Sequence, residues 1–243
     1  MKRMNARRTR VSRDPNNLPR WRHARLKCFA VIAFVFAVAA VSAQTPLKLD
    51  GLPGQLTWHN SPKASDVKDG KVLSISSGPK TDWFVDPFDG TVAKSAPVLL
   101  FTPGDSYVLN TKVQVQFTSK WDAGALMLWA DDHHWAKLSF ELSPDKQPTM
   151  VTVVTRGFSD DCNSAPVSGD SVYLQIGRSG STYVFYYATD GESWRILRTF
   201  RLDTQTAVSV GFEAQSPDGA GATAIFSDVH YSPKKISNIY TGK

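Results

Sequence analysis

Beyond residue 44 the chain alternates apolar and polar side chains in short runs, and Gly, Pro, Asp and Ser punctuate the gaps between them. In the run 208–215, Val208, Val210, Phe212 and Ala214 alternate with Ser209, Gly211, Glu213 and Gln215. In 172–178, Val172, Leu174 and Ile176 alternate with Tyr173, Gln175 and Gly177. A period of two places one set on each side of a strand, so each run has one dry face. The pattern predicts strands at 56–59, 72–76, 98–101, 107–117, 149–156, 172–178, 182–189, 194–200, 208–215 and 223–231. In 149–156 either face reads as buried, which leaves the direction of Arg156 open. No segment after residue 44 sustains a 3.6-residue apolar period over three turns, so no substantial helix is expected. Many short strands at this spacing specify an all-β, two-sheet antiparallel sandwich or a barrel.

The stretch 121–142, WDAGALMLWADDHHWAKLSFEL, is the longest of these signals and reads as a β-hairpin turning at Asp131, Asp132 and His133. If Ala130 faces His134, Leu128 pairs with Ala136, Leu126 with Leu138 and Gly124 with Phe140, all on an apolar face. The other face pairs Trp129 with Trp135, Met127 with Lys137, Ala125 with Ser139 and Ala123 with Glu141. Such a hairpin covers a core with one side and offers indole, ammonium and carboxylate on the other. A second hairpin is expected at 182–197, where Asp190-Gly191 supplies a turn that tolerates positive φ.

Charge sharpens the picture because it is unevenly placed. Residues 1–43 hold ten of the 28 Lys and Arg and one of the 22 Asp and Glu, which leaves 18 basic and 21 acidic residues in the rest. The overall charge of +6 therefore belongs to the leader, and the body has no cationic excess with which to hold nucleic acid. Within the leader, the apolar run 29–40 follows basic residues and precedes Val41-Ser42-Ala43, the layout of a secretory signal cleaved after Ala43. The uncharged stretch is shorter than the roughly 20 residues a membrane span needs, so no stable span is expected after cleavage. The chain divides into a signal peptide with a long basic leading region (1–43), a linker (44–51), a sandwich (52–232) and a C-terminal tail (233–243), and the mature protein is expected to be secreted or periplasmic. The body contains one cysteine, Cys162, so it can form no internal disulfide.

Five segments in collinear order carry a family resemblance: TDWFVDP (81–87), WDAGALMLWADDHHWAKLSFE (121–141), VVTRGFSDDCN (153–163), YYATDGESW (186–194) and VGFEAQSP (210–217). Together, over about residues 52–232, they resemble the family named after a regulator of enolase, domain of unknown function 1349, in the concanavalin A-like superfamily. That resemblance implies a jelly-roll sandwich of two curved sheets whose concave face is where superfamily relatives bind or cleave glycans.

The candidate chemistry fits binding better than catalysis. Superfamily β-glucan hydrolases carry E-x-D-x-x-E on one strand, which aims the carboxylates into a cleft at the separation a retaining mechanism needs. Here Glu141, Glu192 and Glu213 are far apart and form no such run. Sugar rings stack their C–H faces on aromatic rings and pair their hydroxyls with planar amide, carboxylate or guanidinium groups. Trp129, Trp135, Lys137, Glu141, Gln175, Glu213 and Gln215 supply that mixture on wet faces, Trp83 would close one end, and Arg156, Asp160 and Asp161 would line a rim formed by a strand end and loop. The expected function is an exported, non-catalytic carbohydrate-binding protein taking a glycan or oligosaccharide. The rivals are a glycoside hydrolase or lyase using the same groove and a protein-docking scaffold. Asp131-Asp132-His133-His134 and Asp160-Asp161-Cys162-Asn163 contain ligand-type side chains, but neither has a calcium-loop or zinc spacing. They read as structural loops, and no cofactor is expected beyond a weak case for structural calcium.

Overall fold

The computed structural model describes residues 47–243, so the leader and its cleavage point lie outside the described residues. Sixteen strands follow one another: β1 (Thr57–His59), β2 (Ala64–Lys68), β3 (Val72–Ser76), β4 (Trp83–Val85), β5 (Val92–Lys94), β6 (Val98–Phe101), β7 (Ser106–Gln116), β8 (Ala123–Asp131), β9 (His134–Leu142), β10 (Pro148–Arg156), β11 (Phe158–Pro166), β12 (Ser171–Ser179), β13 (Thr182–Ala188), β14 (Arg195–Phe200), β15 (Ser209–Gln215) and β16 (Thr223–Ser232). They build a jelly-roll sandwich of two antiparallel sheets, one ordered β1-β6-β15-β8-β9-β10-β11 and the other β14-β13-β12-β7-β16-β3-β2, with β4 and β5 as a separate ribbon.

The dry faces found in the sequence meet between the sheets. Phe212 and Ala214 of β15, Leu126 and Leu128 of β8, and Leu138 and Phe140 of β9 pack against Val113 and Val115 of β7, Leu174 and Ile176 of β12, and Phe226 of β16. Fully burying such a side chain is worth about 1.5–3 kcal/mol. A one-residue slip would turn all of these side chains to the other face, so burial fixes the register. Gly211 is required by close approach, since a Cβ there would sit 1.8 Å from the Leu99 carbonyl oxygen on β6.

The predicted pairs of the central hairpin are present, from Ala123 with Glu141 through Trp129 with Trp135. Its turn differs by one residue, because Asp131 rather than Ala130 faces His134 and Ala130 is bulged out. Asp131 explains the shift: its Oδ1 accepts the His133 backbone N–H at 2.8 Å and lies 2.9 Å from His134 Nδ1. The Asp131 carboxylate is thus occupied in closing the turn.

The rim expected as a strand end and loop at 155–161 instead turns at Gly157 into strand β11, which pairs with β10 along its length. An edge strand can be polar, since only one of its sides must pair and little of it needs burial. The β4–β5 ribbon likewise escaped the pattern. It lies on the outer face of the first sheet, where Trp83 and Val85 pack with Val98, Leu100, Met127, Trp135, Val151 and Val153. This second apolar cluster explains why β10 looked buried on both faces: Met150 and Val154 belong to the main core, and Val151 and Val153 to the cluster under the ribbon.

Candidate functional site

Part of the outer face is left uncovered beside the ribbon, and a hollow of about 380 Å³ opens there. Its floor comes from Lys137 and Glu141 of β9, Val151 and Val153 of β10, and Gln215 of β15, with Asp161 and Asn163 of β11 along one side. Asp82, Phe84 and Asp86 come from the ribbon, and Trp121 and Pro144 from the loops flanking β8 and β9.

Lys137 is the centre of this arrangement. It is 2% exposed, and its Nζ donates to Asp82 Oδ1 at 2.9 Å and to Gln215 Oε1 at 2.6 Å. Asp82 is held for this contact by the ribbon: its Oδ1 also accepts the Trp83 N–H at 2.7 Å, and its carbonyl accepts the backbone N–H groups of Ser95 and Ala96. Gln215 turns its amide nitrogen the other way, donating to the Trp121 carbonyl at 3.0 Å and to Glu141 Oε2 at 3.5 Å. Burial pulls the lysine toward its neutral form, but the fields of Asp82, Glu213 and Glu141 prevail and raise its pKa above the ordinary value.

Two carboxyls on the same face are less well served. Burial pushes the pKa of Glu141 up to about 8, opposed by Lys137 and reinforced by Asp82, Glu213 and Asp161. Glu213, under the same burial and the same opposing pull of Lys137, is pushed up to about 7, and neither of its oxygens has a hydrogen-bond partner. One ammonium cannot neutralise three acids, so protons are retained instead.

Trp121 sits at the mouth with 36% of its surface exposed and a left-handed backbone, φ 66°. A bulky residue there is strained by about 1–3 kcal/mol and persists because its surroundings fix it. The Trp121 N–H donates to the Leu142 carbonyl at 2.6 Å, and the buried Asp122 next to it ties the loop through Thr118, Ser119 and Ser216.

Of the residues expected at the site, Lys137, Glu141, Asp161 and Gln215 line the hollow, and Glu213 lies buried beside them on β15. The others are placed elsewhere. Trp83 and Trp135 are wholly buried, stacked edge to face at 5.8 Å under the ribbon, so neither presents a ring to a sugar. Trp129 is half-buried, its ring 4.7 Å from that of His59. Gln175 belongs to the opposite sheet and donates to the carbonyl of Gly242 in the C-terminal tail. Arg156 bonds to Asp203, and Asp160 to Arg198 of β14, so these two pairs clamp the sandwich edge. Asp82, Phe84, Asp86, Trp121 and Asn163 were missed as site residues. TDWFVDP did stand out, but for Trp83 alone, and strand alternation gives no hint that a ribbon would fold onto the sheet. A larger hollow of about 490 Å³ lies between the loops around Arg178 and Arg201, whose guanidinium groups already face Asp105 and Asp203.

Comparison with known proteins agrees with this architecture. A protein of Saccharomyces cerevisiae (strain ATCC 204508 / S288c) named regulation of enolase protein 1 is 28% identical over 176 residues, covering 72% of this chain and 87% of that one. The crystal structure of a functionally unknown protein from Saccharomyces cerevisiae superposes with a TM-score of 0.67 at 24% identity, over 73% of this chain and 95% of that chain. The fold is shared with a xylan beta-1,4-xylosidase from Bacillus halodurans C-125, with a TM-score of 0.55 at 18% identity, over 68% of this chain and 33% of the enzyme. Residues 58–234 match the family described as "Protein of unknown function (DUF1349)", and the chain belongs to that family.

Proposed function

We propose that this is an exported, non-catalytic carbohydrate-binding protein whose glycan enters the hollow between Asp82, Trp121, Lys137 and Glu141. The observation that carries the reading is the pairing, in one open cavity, of the rings of Trp121 and Phe84 with an oriented set of polar groups: Lys137, Glu141, Asp161, Asn163 and Gln215. Sugar C–H faces and hydroxyls require that combination. The volume falls at the low end of the roughly 300–1,000 Å³ typical of ligand pockets, room for a short piece of a glycan. Export is supported by the basic and apolar composition of residues 1–43. Trp121→Ala is expected to weaken glycan binding at least about tenfold, a loss of about 1.4 kcal/mol, while circular dichroism stays unchanged. A glycan array with no hits, or equal affinity in the variant, removes the reading.

A second reading, a glycoside hydrolase or lyase acting in the same hollow, is favoured by the burial of Glu141 where it lines the cavity, which pushes its pKa up to about 8 and toward the protonated form a general acid requires. In that case reducing sugar is released from a bound glycan, and Glu141→Gln abolishes release while binding persists. Absence of release by the parent protein leaves the binding reading alone.

A further inference from the structure

The charge around the hollow is lopsided. Asp82, Asp86, Glu141 and Asp161 line it, against the single cation Lys137, which already donates to Asp82 and Gln215. Asp160 and Asp161 divide their duties by strand alternation: Asp160 turns to Arg198 at the sandwich edge, and Asp161 turns to the hollow. Among the described residues neither Asp86 nor Asp161 forms an ion pair.

The acids alone would not define a ligand, but a further feature points the same way. Glu141 is 7% exposed and reaches the cavity with only a long hydrogen bond of 3.5 Å from Gln215, while the adjoining Glu213 has no partner for either oxygen. Buried carboxyl oxygens without donors are costly, about 1–3 kcal/mol each. Lys120 Nζ lies 4.2 Å from the centre of the Trp121 ring, so the indole at the mouth is already engaged by a cation of the chain itself. A metal ion suits the site poorly, because the Lys137 ammonium occupies the space between Asp82 and Gln215 and no cluster of three metal-ligating side chains exists among the described residues.

Building on the carbohydrate-binding reading, we infer that the ligand carries a protonated amine, as an amino sugar does, seated among Glu141, Asp161 and Asp86 with its ring against Trp121. An ammonium supplies N–H donors to Glu141, whose one contact is long, and a positive charge to Asp86 and Asp161, which form no ion pair among the described residues. A uronic acid or sulfated sugar would meet the carboxylates of Asp86 and Asp161, which form no ion pair among the described residues, and a cation already engaged by Asp82, and is repelled.

The test is calorimetric titration of the mature chain at pH 6.5 and low salt with four oligosaccharides of equal length: β-1,4-linked glucosamine, its N-acetylated counterpart, glucose and galacturonic acid. The glucosamine oligomer is expected to bind at least tenfold more tightly than the acetylated one, and the galacturonic acid oligomer not to bind. Asp161→Asn is expected to narrow the ratio between the first two to threefold or less. Equal or tighter binding of a neutral or acidic oligomer overturns the inference and leaves the carbohydrate reading standing. An unchanged ratio in Asp161→Asn overturns it as well, by showing that the preference arises elsewhere. If none of the four binds, the inference falls, and the glycan array decides the carbohydrate reading separately.

Discussion

Lys137→Met lowers the free energy of unfolding by about 3–5 kcal/mol, the range for removing one partner from a buried ion pair. The methionine chain fills the same space, so the loss is electrostatic. With the ammonium gone, Asp82 Oδ1 keeps only the Trp83 N–H, Gln215 Oε1 loses its donor, and Glu141 and Glu213 lose the one nearby field that favours their ionised forms. Denaturant titration should show the midpoint moving with little change in slope, which separates a stability change from a change in the extent of unfolding. Adding Glu213→Gln should recover part of the loss, because the two side chains interact through their charges and removal of one acid lightens the burden left by the missing cation. A loss below 1 kcal/mol in the single variant would mean that solvent, rather than Lys137, balances these carboxylates. On the carbohydrate-binding reading the same substitution should also weaken glycan binding, since it removes a donor from the floor of the hollow.

That cluster shows how far strand alternation reaches. Alternation placed Lys137 and Glu141 on the wet side of β9, and Glu213 and Gln215 on the wet side of β15, and the register of the central hairpin followed from burial of Leu126, Leu138 and Phe140. What alternation cannot carry is what covers a face. Trp135 has the same parity as Lys137, yet it is buried because Trp83 arrives from a ribbon more than fifty residues earlier in the chain. Trp121 lies just outside the strand that carries the pattern, and its left-handed backbone is set by Asp122 and Gln215 through contacts no local period records. Gln175 alternates just as Gln215 does, but its strand lies in the other sheet. The division into two sheets depends on pairing between distant strands, such as β15 with β6 and β16 with β3, and a single-strand pattern is the same for either partner. Polar β11 was legible as sequence chemistry but not as a strand, because an edge can form with few apolar residues.

Stability is expected to fall as pH rises from 5 to 8, in the opposite sense to a protein held together by ionised carboxylates. The sign follows from Glu141 and Glu213, whose ordinary value is 4.5 and whose folded values are about 8 and about 7. Between pH 4.5 and those values the folded protein keeps protons that the unfolded chain has shed. Their stabilising contribution is therefore complete below pH 4.5 and is lost as pH climbs through the window. Each retained proton is worth about 1.4 kcal/mol per pH unit. With the two sites interacting, a loss on the order of 4 kcal/mol is expected, or roughly 10 °C in the unfolding midpoint for a chain of this size. Asp89, Asp131 and Asp145, which hydrogen bonding moves downward, act below the window and do not offset it. Glu141→Gln and Glu213→Gln should each flatten the slope, and Glu213→Gln should be more stable than the parent at pH 8, because an amide there has no proton to surrender. A midpoint that stays level or rises between pH 5 and 8 would show that both carboxyls are ionised and solvated in the folded protein. If the hollow takes an amine-bearing glycan, as proposed, saturating ligand should flatten the same slope as Glu141→Gln does, because it favours the ionised carboxyl in the folded protein.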